Sequence, residues 1–137
     1  MTIHRYDADV WTVDSVLSPE ECVEFIAHGE ASGFEAATVA LRTGAQLLTD
    51  IRNNDRATVE DDALATTLWG RVRAFAPEMM DGFAATGLNP RFRFYRYEPG
   101  QQFRRHLDGR VRLDTGEVSR TTLLFYLNAG CVGGDTV

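Results

Sequence analysis

A mixed α+β fold, helical toward the front of the chain and strand-rich toward the back, is predicted by three patterns in its 137 residues. Two are helix starts followed by apolar stripes, at Ser18 and at Asp61-Asp62; the third is a period-two alternation that sets in after Asn89-Pro90. The length fits one domain, and a hydrophobic fraction of 44% is enough apolar material for a packed core.

The first helix is signalled at its start. Ser18 can cap it, Pro19 suits its first position, and Glu21 stands three residues after the cap, completing a capping box ahead of an apolar face of Cys22, Phe25 and Ile26. Gly33 marks its exit. The second helix is expected from Asp61 or Asp62, where acidic side chains favour the positive end of the helix dipole. It carries Leu64, Leu68, Val72 and Phe75 on one stripe until Pro77 ends it; that stripe reads as core. Between the helices, residues 37–41 and 47–51 are expected as short strands, followed by a polar turn from Arg52 to Arg56.

Behind Pro90 the character changes. Residues 91–97 alternate charged and aromatic side chains, Pro99-Gly100 is a turn, and residues 102–108 extend again, a pattern of antiparallel sheet. Gly109 opens a polar connection to Ser119. Residues 120–128, rich in Thr, Leu, Phe and Tyr, are expected as another strand before Gly133-Gly134 turns the chain.

Charge is unevenly spread. All 14 basic residues are arginine; residues 1–90 hold six of them against 15 acidic residues, and residues 91–137 hold eight against five. The run Arg91-Phe92-Arg93-Phe94-Tyr95-Arg96-Tyr97 has the look of a nucleic-acid surface, but a pI near 5.0 argues against a phosphate-backbone binder. Strand alternation explains the run at less cost, and a positive local field also suits a small dicarboxylate. No apolar stretch approaches the roughly 20 residues of a membrane helix, and no basic-then-apolar leader is present, so a cytoplasmic protein without membrane or nucleic-acid partners is expected. Cys22 and Cys131, far apart and outside any C-x-x-C spacing, read as buried reduced thiols.

The chemistry centres on His106-Leu107-Asp108. In a strand, residues i and i+2 project from one face, so this imidazole and carboxylate can reach one metal ion. They make up two thirds of the 2-His-1-carboxylate set that leaves positions open on iron(II). Alone the motif is weak: three histidines and 20 acidic residues in 137 give roughly 0.4 chance matches. His4 and His28 read as an exposed histidine near a terminus and a helix-surface histidine.

The surroundings of His106 are more specific. Tyr97-x-x-Gly100-x-x-Phe103-x-x-His106-x-Asp108, then Arg120-x-Thr122, Leu124 and Tyr126-Leu127-Asn128, then Gly133-Gly134-Asp135-Thr136 resembles, in order and spacing, the prolyl 4-hydroxylase-like branch of the iron(II)- and 2-oxoglutarate-dependent oxygenases. The likeness is strongest over residues 91–137, about a third of the chain. Ile51-Arg52-Asn53-Asn54-Asp55-Arg56 is also similar to a segment that edges the substrate cleft in relatives.

The resemblance implies N-terminal helices packed on a double-stranded β-helix, or jelly roll, of which only the first strands are expected here. Residues 1–88 would be a helical and strand support region, and residues 89–137 the start of the oxygenase domain. It implies His106 and Asp108 as iron ligands and catalytic residues on the second jelly-roll strand. Tyr97, Thr122 and Tyr126 would line the 2-oxoglutarate pocket, where their hydroxyls can donate to carboxylate oxygens. Ordinary sheet packing is the alternative for these three residues. Arg52, Asn54 and Arg56 are either substrate-facing or a solvated turn.

The implied cofactor is Fe(II), with 2-oxoglutarate and O2 as co-substrates and ascorbate as an optional reductant. The implied reaction hydroxylates a prolyl or similar side chain of an amino acid, peptide or protein, with decarboxylation of 2-oxoglutarate to succinate.

The family pattern continues with a second histidine and then a basic residue that anchors the distal carboxylate of 2-oxoglutarate. In this sequence no histidine follows His106 and no arginine follows Arg120. The expectation is a partial form of a longer oxygenase. The alternative is a non-catalytic jelly-roll relative, a binding module or interaction fragment that holds a peptide or small anion without turning it over.

Overall fold

The computed structural model describes residues 1–136, which form two helices and four small antiparallel sheets. The mixed α+β class is as expected. Strand β1 (Ile3–Arg5) pairs with β2 (Trp11–Val13) around a tight loop in which one carboxylate oxygen of Asp7 accepts from the backbone of Asp9 and Val10.

Helix α1 (Pro19–Ala31) begins as its capping box dictates. Ser18 Oγ accepts from Glu21 N–H, and Glu21 reaches back to the Ser18 N–H at 2.8 Å. It ends through Ser32 into Gly33, whose φ of +79° is the left-handed step that glycine takes without a Cβ clash. Helix α2 (Asp62–Val72) is capped by Asp61, which accepts from Leu64 N–H at 2.8 Å. Its stripe behaves as core: Leu68 and Val72 are buried together with Ala65, while Leu64 and Phe75 are half-buried. Arg71 on α2 reaches both carboxylate oxygens of Glu21, at 2.6 and 2.9 Å, fixing one helix to the start of the other.

The largest sheet is three-stranded, with β6 (Asp55–Glu60) between β3 (Glu35–Ala36) and β9 (Arg91–Arg96). Two further sheets are separate two-stranded hairpins: β4 (Val39–Leu41) with β5 (Gly44–Gln46), and β7 (Met79–Met80) with β8 (Phe83–Ala84). The second turns through Asp81-Gly82, both at positive φ, the two-residue turn whose twist suits paired strands. On β9 the alternation holds. Phe92, Phe94 and Arg96 are half-buried, while Arg91, Arg93 and Tyr95 are exposed. Phe94 lies against α1, where a Cβ on Gly29 would come within 2.9 Å of its ring.

Four expectations need correction. Residues 47–51 are not a strand, because Ile51 and Arg52 N–H both turn back to the Leu48 carbonyl. Arg52 to Arg56 is not a simple polar turn: Asp55 and Arg56 open β6, where their backbone finds β9. Residues 102–108 join a neighbour only at the bridge between Phe103 and Arg52, so His106 and Asp108 stand beyond the sheet rather than on a strand of it. Residues 120–128 also carry no ladder. A strand is stable as a strand only where a second backbone takes its N–H and C=O groups; among the described residues that holds for residues 102–104, which meet residues 51–53, and for no part of residues 105–108 or 120–128. The connection between them is a small closed loop, with Leu113 bonded to Glu117 and Ser119 to Val111. No helix among the described residues is long and apolar enough to cross a membrane.

Candidate metal centre

The approach to His106 is built by two short backbone segments. The turn Glu98-Pro99-Gly100-Gln101 closes with Gln101 N–H on the Glu98 carbonyl at 3.0 Å, and Gly100 takes φ +85°, which its missing Cβ permits. Residues 102–104 then run beside residues 51–53. Gln102 N–H donates to Asn53 Oδ1 at 2.7 Å, Asn53 N–H to the Gln102 carbonyl at 3.2 Å, and Arg104 N–H to the Ile51 carbonyl at 2.9 Å. These bonds fix the chain two residues before the histidine.

Beyond that clamp the His106 ring stacks on Phe103, with centroids 3.6 Å apart and planes 18° from parallel. Its Nδ1 lies 2.8 Å from the Arg104 carbonyl oxygen, which can only accept, so Nδ1 carries the proton. Nε2 faces Asp108 Oδ1 at 3.2 Å. Asp108 is held from its other side, where Thr122 Oγ1 donates to Oδ2 at 2.6 Å. With the ring neutral, a lone pair on nitrogen and a carboxylate oxygen would point at one another, each fixed from behind. Two acceptors repel in that posture. A proton on Nε2 or a cation between them removes the repulsion, and borderline imidazole plus hard carboxylate is a donor set that iron(II) and manganese(II) accept. The residues present thus fit a divalent first-row metal as a two-ligand set. Among the described residues no group of three His, Cys, Asp or Glu converges on one point.

The structure brings Asp108 into direct contact with both His106 and Thr122, and gives Tyr97 and Tyr126 other neighbours. Tyr97 is about half exposed; partial burial pushes its phenol above the usual range, the Arg52 charge opposes that shift, and Tyr126 is close enough to add to it. Tyr126 is 68% exposed, and its hydroxyl bonds the hydroxyl of Thr136. Neither tyrosine bonds His106 or Asp108. Residues 121–124 are all exposed, and alternation appears only from Leu124 to Asn128, where Phe125 and Leu127 are half-buried.

Arg52 and Asn54 are the residues that sequence reasoning placed wrongly. They are 4% and 1% exposed, neither solvated nor facing open space, and Arg52 Nε donates to Asn54 Oδ1 at 2.8 Å. The available signal was their i, i+2 spacing, which puts both on one face of an extended segment. Arg56 is half-buried and donates to Thr38 Oγ1 at 3.3 Å; burial first, then repulsion from Arg52 and Arg93, pulls its guanidinium below the usual arginine range. His4 pairs with Asp14 at 3.0 Å and His28 stacks on Phe94, both remote in role from the pair at 106 and 108. Both cysteines are free, Cys22 half-buried as expected of a packed thiol and Cys131 exposed against that expectation.

Comparisons with protein families, with curated proteins and with solved structures gave no match to this chain.

Proposed function

We propose that this chain carries part of the metal centre of an iron(II)- and 2-oxoglutarate-dependent oxygenase of the prolyl 4-hydroxylase-like kind, built on a jelly roll. One observation supports it above the rest: His106 Nε2 and Asp108 Oδ1 face each other at 3.2 Å with their far sides already bonded to Arg104 and Thr122. His106 and Asp108 would hold the iron, which supplies redox access to O2 when bound. Of the chain's own parts, the Arg104 carbonyl keeps the Nδ1 proton in place so that Nε2 stays free, and the Thr122 hydroxyl orients the carboxylate. The hydroxyls of Tyr97 and Tyr126 would donate to carboxylate oxygens of 2-oxoglutarate, in the weakly positive field of Arg52. In the overall reaction one oxygen atom of O2 enters a substrate C–H bond, and the other enters the succinate formed as carbon dioxide leaves. The proposed substrate is a prolyl or similar side chain, and the unpaired thiols fit a reducing, cytoplasmic setting.

Anaerobic titration with Fe(II) and 2-oxoglutarate tests this. The expected result is a weak visible charge-transfer band that Asp108→Ala and His106→Ala abolish while the thermal midpoint stays within a few degrees of the parent. A band that survives both substitutions would remove the assignment. A second reading, a jelly-roll binding module without turnover, is favoured by the two-ligand count among the described residues. It expects 2-oxoglutarate or a related small anion to bind equally well with and without the metal.

A further inference from the structure

Arg52 is a buried cation to which the proposed function assigns no contact with the metal ligands. Its Nε is bonded to Asn54, its Nη2 is buried with no hydrogen-bond partner, and among the described residues no carboxylate pairs with it. Desolvating an arginine in this way is unfavourable unless something specific receives the guanidinium plane, and a long apolar side chain would fill the same space without that cost. What receives it is aromatic. The guanidinium carbon lies 4.4 Å from the centre of the Tyr95 ring and 4.1 Å from that of Phe103, a cation between two π faces.

Phe103 is also the ring on which His106 stacks at 3.6 Å. Two groups cannot both sit about 4 Å above the centre of one face of a six-membered ring, so Arg52 and His106 occupy opposite faces, with Phe103 as the middle layer. The column is therefore Tyr95, Arg52, Phe103, His106. Its lower half is immobilised. Asn54 holds the guanidinium edge-on and passes its own amide proton to the Asp55 carbonyl at 2.8 Å, while the backbone bonds between residues 51–53 and 102–104 fix the spacing of the layers. Both end rings of the column, Tyr95 and His106, reach the surface, while Arg52 between them is buried.

We propose that Arg52 is a positioning residue for His106, acting through Phe103: the buried guanidinium fixes the plane of the phenyl ring, and the phenyl ring fixes the plane of the imidazole that presents Nε2 to a divalent metal. The inference rests on the reading of His106 as a metal ligand. It adds a third support to the ring beside the Arg104 carbonyl and the approach of Asp108, and it explains why a charge is retained in a place that an apolar residue would fill.

The test uses Mn(II) alone as the probe, its binding followed by the loss of the free-ion electron paramagnetic resonance signal, together with the ring C–H resonances of His106 in the metal-free protein. Arg52→Lys keeps the charge and loses the planar stack; Phe103→Leu removes the middle layer; Phe103→Tyr keeps it. Arg52→Lys and Phe103→Leu are expected to weaken Mn(II) binding about tenfold or more, the size usual for lost support behind a metal ligand. Arg52→Lys should also move the His106 ring resonances although it does not touch that ring, and Phe103→Tyr should restore the parent affinity.

Parent affinity and unmoved His106 resonances in Arg52→Lys would overturn the proposal. If that variant fails to fold, the contrast in affinity between Phe103→Leu and Phe103→Tyr decides in the same way. If the parent itself does not bind Mn(II), the metal reading fails, and the His106 resonances of Arg52→Lys still decide whether the column orients the ring.

Discussion

Glu21 joins a local signal to a distant one in a single carboxylate. Locally it closes the capping box with Ser18, and at a distance it takes both arms of the Arg71 guanidinium from α2. The Arg71 hydrogen bonds, followed by the Ser18 N–H, hold its carboxyl down at about 2 against an ordinary value of 4.5. A carboxyl depressed in the folded state contributes stability in full above its unfolded value, and that contribution is lost as the pH falls toward the folded value. Unfolding midpoints should therefore drop between pH about 4.5 and about 2 and then level off, and Glu21→Gln should be less stable at pH 7 and flatter across that window. Equal acid slopes for the two proteins would remove the assignment. The contact is partly exposed and salt-screened, so the slope should shrink in high salt. The capping box was legible because a four-residue pattern specifies it. Arg71, fifty residues on, was invisible because nothing in a stripe of apolar residues says which polar neighbour reaches across.

At the level of elements, the two helices carry one interior glycine each on very different surroundings. A methyl group on Gly29 would meet the Phe94 ring at 2.9 Å, whereas one on Gly70 would meet nothing within 4 Å. Intrinsic helix propensity favours alanine at both, by about 1 kcal/mol. Gly70→Ala should therefore raise stability by about that amount, while Gly29→Ala should lower it by up to about 2 kcal/mol, because an overpacking cost of about 1–3 kcal/mol outweighs the propensity gain. Urea denaturation of the two variants measures both signs, and a stabilised Gly29→Ala would mean that α1 does not pack on β9 this closely. The same contrast explains what could be read beforehand. Helix caps and the alternation of β9 are local and were legible. The start of β6 reads as a turn because Arg52 to Arg56 are all polar, and only the presence of Arg96 and Tyr95 across the ladder makes Asp55 and Arg56 part of a strand. Residues 105–108 and 120–128 have strand composition without a partner backbone, and composition cannot supply one. The His106 and Asp108 pair was legible from spacing. The Arg52 column behind it was not, since stacking joins residues about fifty positions apart.

Across the whole molecule, stability is concentrated in one half of the chain. The six-residue ladder between β6 and β9 and the buried side chains of α2 lie within residues 55–96, whereas residues 120–136 make no backbone-to-backbone hydrogen bond among the described residues. Leu107, at 97% exposure, and fully exposed Val132 add no burial to the back of the chain. Amides open in proportion to how few buried contacts and ladder bonds hold them, so native-state hydrogen exchange should divide the protein. Amides of β6 and β9 should be slowed by about three orders of magnitude or more, following global unfolding, while those of residues 120–136 should exchange at close to the unprotected rate. The clamp of residues 102–104 on residues 51–53 should fall between. Metal then provides a sharper test. A divalent ion held by His106 and Asp108 fixes the segment that also carries the Thr122 contact, so saturating Mn(II) should slow exchange around residues 104–108 and 122 and leave β6 and β9 within about threefold, since binding stabilises only the states that retain the site. Protection spread evenly over the chain would place the metal elsewhere, and no added protection at residues 104–108 would separate the pair from metal binding altogether.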